Sequence, residues 1–262
     1  MVIRIRAWCF RSLLLVPLLS WGAPADNSVS LSQLHALFQK GNEAFKAGKY
    51  QQAVELYEKI RTAGYESSAL WYNLGVAYFK AGKLGLAVAA LGRAAQLAPR
   101  DEDITYNLKY VRLFRQDRLT SPPLLPLVAW FFRMVNLFTA RELGWSLGIL
   151  FWLLSTTFAI WFILRRKPLG RRFLAMAIAL LVLFLINMAW YLKRQEIEQT
   201  PHAVVLASEV AVHSGPLEAT KVLFELHEAA EGTVVDSSAD WLEIRLPDGK
   251  KGWLPRSEVI IY

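Results

Sequence analysis

The sequence predicts a multidomain chain: an all-α solenoid, then a two-helix transmembrane hairpin, then a small all-β barrel. Three observations predict it. Residues 34 to 101 repeat at an interval of 34, two uncharged runs of about 20 residues enclose a basic loop, and period-two alternation begins after Thr200.

The placement of charge supports this division. The chain has 262 residues, is 54% hydrophobic and carries a formal net charge of +8. Its positive charge gathers beside apolar segments: Arg4, Arg6 and Arg11 at the start, Arg165, Arg166, Lys167, Arg171 and Arg172 between the two greasy runs, and Lys193 with Arg194 after the second. Outside those flanks the net charge is −2. A nucleic-acid binder needs cations spread over a folded face that follows phosphates, so nucleic acid is excluded as a partner.

Taken in order, residues 1–25 have a basic start, a short apolar centre from Ser12 to Trp21 and small residues at Ala23 and Ala25. That is the pattern of a secretory signal peptide cleaved after Ala25; an uncleaved anchor is the alternative, although the apolar centre is short and holds Pro17. Cys9, the single cysteine, lies in this segment. A mature chain without it has no disulfide, thiol nucleophile or cysteine-bound metal.

Residues 30–120 form the solenoid. Gly41, Gly48, Lys49, Ala53 and Tyr57 return as Gly75, Gly82, Lys83, Ala87 and Leu91, and 34 residues is the tetratricopeptide period. Small residues let paired helices approach, larger ones fill the space around them, and Pro99 stops the second helix. "DITYNLKYVRLF" (Asp103 to Phe114) resumes the pattern with Lys109 in place of glycine, and predicts a capping helix. Asp101 to Asp103 suit the positive end of that helix.

The usual geometry of such repeats lines an inner groove with His35, Phe38, Asn42, Phe45 and Lys46, then Tyr72, Phe79 and Lys80, then Tyr106 and Tyr110. One reading is a peptide-binding groove with rings as anchors. The other is that the rings pack on the next helix or under the segment from Leu124 to Phe138.

Residues 122–139 are apolar, opened by prolines and interrupted by Arg133, which suits an interfacial amphipathic segment; a third span is the alternative. Residues 143–164 and 173–192 are uncharged and long enough to cross a hydrocarbon core of about 30 Å. Trp145, Trp161, Trp190 and Tyr191 stand near their ends, where such rings settle at the headgroups. The loop 165–172 is short and basic, so it stays in the cytoplasm and both soluble domains lie outside it.

Residues 203–262 break into five alternating stretches, with Asp248-Gly249 as a hairpin signal. Ser214-Gly215-Pro216, Leu226, Gly232, Trp241, Asp248-Gly249 and Gly252-Trp253 resemble the bacterial SH3-like domain. Trp253 is read as structural. Trp241 is read either as a core ring or as a surface for peptide or glycan. His35, His202, His213 and His227 show no metal-ligand spacing, and nothing in the sequence calls for a metal or cofactor.

The order of these parts, together with "PRDEDITYNLKYVR", resembles the tetratricopeptide-plus-SH3 member of the Bacteroides aerotolerance family, the BatE-like proteins. That resemblance implies a non-enzymatic membrane scaffold in the bacterial inner membrane, working with von Willebrand A-domain membrane proteins and a MoxR-type ATPase in envelope integrity or stress tolerance. A sensor or peptidoglycan-binding protein acting through the SH3-like domain is the second reading, and an unrecognised hydrolase the third.

Overall fold

The computed structural model describes residues 30–120, 122–135 and 137–262. The expected signal peptide lies outside the described residues.

Five helices build the first domain: α1 (Leu31–Lys46), α2 (Tyr50–Thr62), α3 (Ser68–Lys80), α4 (Leu84–Leu97) and α5 (Glu102–Arg112). Local chemistry starts them. Ser30 and Gln33 form a reciprocal capping box on α1, the Ser67 hydroxyl accepts from the Leu70 amide on α3, and the Asp101 carboxylate accepts from the Ile104 amide on α5. The repeated glycines end α1 and α3: Gly48 and Gly82 have φ of 74° and 78°, a left-handed turn that costs glycine little.

The 34-residue interval reflects helix contact. A Cβ added to Gly41 would lie 2.5 Å from the Tyr57 ring, and one added to Gly75 would lie 2.7 Å from Leu91 Cγ. Equivalent glycines therefore receive equivalent large residues from the following helix. Tyr57, Leu70, Leu74, Ala87 and Leu91 make the buried centre.

After a linker, α6 (Pro126–Val135) packs against α8, and its Leu127 and Trp130 side chains are exposed. Helices α7 (Ala140–Leu164) and α8 (Gly170–Gln199) pair along their length and are long and apolar enough to cross a membrane. Most of both apolar windows is uncovered by protein. Between them the Ser146 hydroxyl donates to Asn187 Oδ1 at 3.1 Å, and at the near end Glu198 accepts from Arg194 Nε and from the Ala140 amide. The connection is shorter than the basic loop read from the sequence. Helix resumes at Gly170, so Arg165, Arg166 and Lys167 lie in the turn while Arg171 and Arg172 open α8.

Seven antiparallel strands follow, where the sequence suggested five: β1 (His202–Val205), β2 (Glu209–His213), β3 (Val222–His227), β4 (Glu231–Ser238), β5 (Trp241–Arg245), β6 (Lys251–Pro255) and β7 (Val259–Ile261), in the order β3-β2-β6-β5-β4-β1-β7. Two of the alternating stretches each supply two strands, because turns at residues 206–208 and 246–250 fold them back. Asp248 and Gly249 sit in the second turn, Gly249 at φ 91°. Leu242 and Ile244 point into the core with Val205, Val212, Leu226 and Leu254.

The helical domain and the barrel share a core. Val204, Ala229, Ile260 and Tyr262 pack with the helical core, and α4 rests on β1 and β7. Two glycines of α4 permit this approach: a Cβ on Gly85 would meet Val205 O at 2.6 Å, and one on Gly92 would meet the Tyr262 hydroxyl at 2.4 Å.

Candidate functional site

The residues expected in one groove fall into several places. Asn42, Phe45, Lys46 and Tyr72 line a hollow of about 360 Å³ together with Tyr57, Asn73 and Val76. Its floor is a polar network: Asn42 Oδ1 accepts from the Tyr57 hydroxyl at 2.7 Å and from Asn73 Nδ2 at 3.1 Å, and the Tyr72 oxygen accepts from Asn107 Nδ2 at 3.0 Å. Burial pushes the Tyr57 phenol up to about 12, so it stays a donor at any ordinary pH. Burial also raises Tyr72, and the charges of Asp103 and Asp101 add to this.

His35 and Phe38 line a separate hollow with Ile60 and Tyr65, and Phe38 lies against the Tyr57 ring at 5.7 Å. Phe79 is covered from within. Its ring stands 5.9 Å from Tyr110 and 5.1 Å from Phe114, which are themselves 5.3 Å apart. Lys80 and Tyr106 are exposed and line neither hollow. Register therefore brings four of the ten residues together, and packing by α5 removes Phe79 from an open groove. The missed contributors had a signal: the pair Tyr72-Asn73 recurs as Tyr106-Asn107 at the same interval.

The seam between helices and barrel carries the densest charge pairing. Glu231 accepts from Arg112 Nε at 2.8 Å and Nη2 at 2.6 Å, and from Arg115 Nη1 at 2.8 Å. Asp117, on the linker, takes the His227 amide at 2.7 Å and lies 3.0 Å from its Nδ1. The Gly85 amide donates to Glu228 at 2.9 Å, and Tyr262 stacks on His202 with centroids 5.5 Å apart. No local pattern marks these residues in the sequence.

On the barrel, Trp241 is half-buried and sits edge-on to His213 at 5.2 Å; Trp253 is likewise half-buried, on β6. His213 and His227 stand at opposite ends of the β2–β3 ladder, and their ring partners are Thr220 O and Asp117.

The class defined here is a chain bearing two interaction modules on the same end of a pair of long apolar helices. Residues 38–102 match the family model of the tetratricopeptide repeat, and residues 207–260 that of the bacterial SH3 domain. The BBSome complex member BBS4 of Bos taurus is 36% identical over 81 residues, which is 31% of this chain and 16% of that protein. The Mus musculus protein matches to the same extent, so the chain spans about 16% of the length of both. Among solved structures, PcrH in complex with the chaperone binding region of PopB is 14% identical with a TM-score of 0.31, over 58% of this chain and 96% of that one. An NlpC/P60 family protein from Bacillus cereus is 20% identical with a TM-score of 0.21, over 26% of this chain and 22% of that one.

Proposed function

We propose that this chain is a non-enzymatic scaffold of the Bacteroides aerotolerance kind, anchored in the bacterial inner membrane with both soluble domains on its outer face. The observation that carries the reading is the placement of a tetratricopeptide region and an SH3 domain together at one end of the helical pair, with Arg165, Arg166 and Lys167 at the other. Short basic loops stay cytoplasmic, which supports this orientation. Residues 122–139 lie along the outer leaflet, with the exposed Leu124, Leu125, Leu127 and Trp130 in the lipid. The hollow around Asn42, Lys46 and Tyr72 takes a peptide segment of a partner, the von Willebrand A-domain membrane proteins, in an assembly that a MoxR-type ATPase serves in envelope integrity or stress tolerance.

Crosslinking in intact membranes, followed by identification of the captured proteins, tests this. Von Willebrand A-domain proteins among the major products support it; their consistent absence counts against it. A second reading has its own observation: Trp241 stays partly exposed on a barrel of bacterial SH3 type, which suits a peptidoglycan binder. Loss of co-sedimentation with murein sacculi on deleting residues 203–262 would favour that reading.

A further inference from the structure

Arg245 ends β5 on an exposed position and makes no ion pair among the described residues. It borders a cavity of about 380 Å³ in the seam, whose other polar lining comes from Arg112 and Arg115 of the helical side and from His202, Glu231 and Thr233 of the barrel. Three arginines thus line the cavity with one carboxylate, Glu231. That carboxylate is already committed to the helical side, since both Glu231 oxygens accept from Arg112 and one also accepts from Arg115. Arg115 spends its Nε on Arg112 O at 3.2 Å and its Nη1 on Glu231, while its side chain is only 16% exposed. Burial holds the Arg115 guanidinium below its ordinary value, the Glu231 carboxylate opposes that, the neighbouring Arg112 charge adds to it, and the Asp117 carboxylate opposes it again. Counting Glu231 in the cavity and Asp117 beside Arg115, the three guanidinium groups still outnumber the carboxylates by one, so the cavity keeps an excess of positive charge in a partly dry place.

We propose that this cavity binds a small ligand bearing an oxyanion, a carboxylate or a phosphate, held between Arg115 and Arg245, and that the bound ligand fastens the barrel to the helical domain. Guanidinium forks suit both anions. The volume fits a small molecule, and a junction of domains is a common place for one. A ligand touching both sides binds the docked arrangement and not the open one, so it shifts the balance toward docking.

The test uses the full chain in dodecyl maltoside, which supplies no phosphate. Inorganic phosphate and citrate are titrated at constant ionic strength against chloride, with calorimetric binding and the rate of protease cleavage within residues 113–122 as readouts. Saturable binding of at least one anion with slowed cleavage is expected. Phosphate alone, citrate alone, or both define the ligand as phosphate, carboxylate or either. Arg245→Gln should weaken binding by about tenfold or more, the scale of one charged hydrogen bond. Arg118→Gln, on an exposed linker cation outside the cavity, should leave it unchanged. Absence of saturable binding, binding untouched by Arg245→Gln, or equal loss in Arg118→Gln would overturn the proposal.

Discussion

Arg112 and Glu231 stand 119 positions apart and meet in a two-point ion pair, at 2.8 and 2.6 Å, across the boundary between helices and barrel. The Glu231 side chain is 11% exposed and Arg115 shares it, so the cluster is a partly buried triad. Glu231→Gln would leave Arg112 and Arg115 facing each other with only the Asp117 carboxylate left to oppose them. Loss of one partner in a buried pair costs on the order of 3 kcal/mol, about a hundredfold in an opening equilibrium. Hydrogen exchange at residues 112–119 of the full chain should accelerate by that order, while α1 and α2 stay protected. Unchanged exchange would mean the seam is held by its apolar contacts alone.

The seam should also weaken in mild acid. Burial lowers His202 below its ordinary value of 6.5; Glu231 opposes this and Arg112 adds to it. Docked His202 is thus neutral while the freed side chain takes a proton more readily. Its contribution is complete above about 6.5 and is lost as pH falls through the lower, docked value. Protease cleavage of the linker should therefore speed up between about pH 7 and pH 5. His202→Phe, which keeps a ring against Tyr262, should flatten that dependence; a profile identical to the parent's would mean that His202 does not set it.

One substitution type, placed at two glycines, separates the repeat from the seam. At Gly75 an added methyl meets Leu91 Cγ and the Leu91 backbone nitrogen, 2.7 and 3.0 Å away, so α3 and α4 must part. At Gly92 the atoms nearest the same methyl belong to the Tyr262 ring and hydroxyl, so the barrel moves instead. Each change should cost about 1 to 3 kcal/mol. Gly75→Ala should raise exchange throughout α3 and α4. Gly92→Ala should raise it at β1 and β7, and Tyr262→Ala should cancel most of that added effect because it empties the space.

The proposed orientation predicts a labelling pattern. Lys167→Cys, in the connection between α7 and α8, should resist an impermeant thiol reagent in intact spheroplasts, and Ser237→Cys on the barrel should react. Gly170 is a poor place for the probe, since a Cβ there would lie 2.4 Å from Leu164 O. Both variants belong in a Cys9→Ser background. Reversed labelling would turn the chain over and remove the export argument.

The sequence exposed those features of the fold that repeat or run locally. Gly41 with Gly75 and Gly48 with Gly82 mark helix contacts and turns at a fixed interval, and composition alone marks the two long apolar helices. The seam left no such trace: Arg112, Asp117, His227 and Glu231 look like ordinary surface charges until the chain folds. The groove was half legible for a related reason. Register fixes which face of α3 carries Tyr72 and Phe79, but not that α5 and the turn after it would cover the second with Tyr110 and Phe114 and leave the first beside Asn42.

That difference between Tyr72 and Phe79 gives the test of the groove. Tyr72 and Lys46 border an open hollow, and anchors in such places carry binding energy of about 2 kcal/mol or more. Lys46→Glu with Tyr72→Ala should therefore lower crosslinking to the partner at least about tenfold, with membrane insertion unchanged. Tyr72→Ala also frees Asn107, so slightly faster exchange in α5 is expected and Lys46→Glu alone serves as the structurally silent control. Phe79→Ala should behave in the opposite way. It removes one ring from a three-ring cluster, so α5 should fray from its C-terminal end while crosslinking persists. If Phe79→Ala abolished crosslinking and left α5 protected, Phe79 would be a partner contact and the cluster with Tyr110 and Phe114 would have to open in use. If Lys46→Glu and the double variant both left the yield unchanged, the hollow around Asn42 would not be where the partner binds.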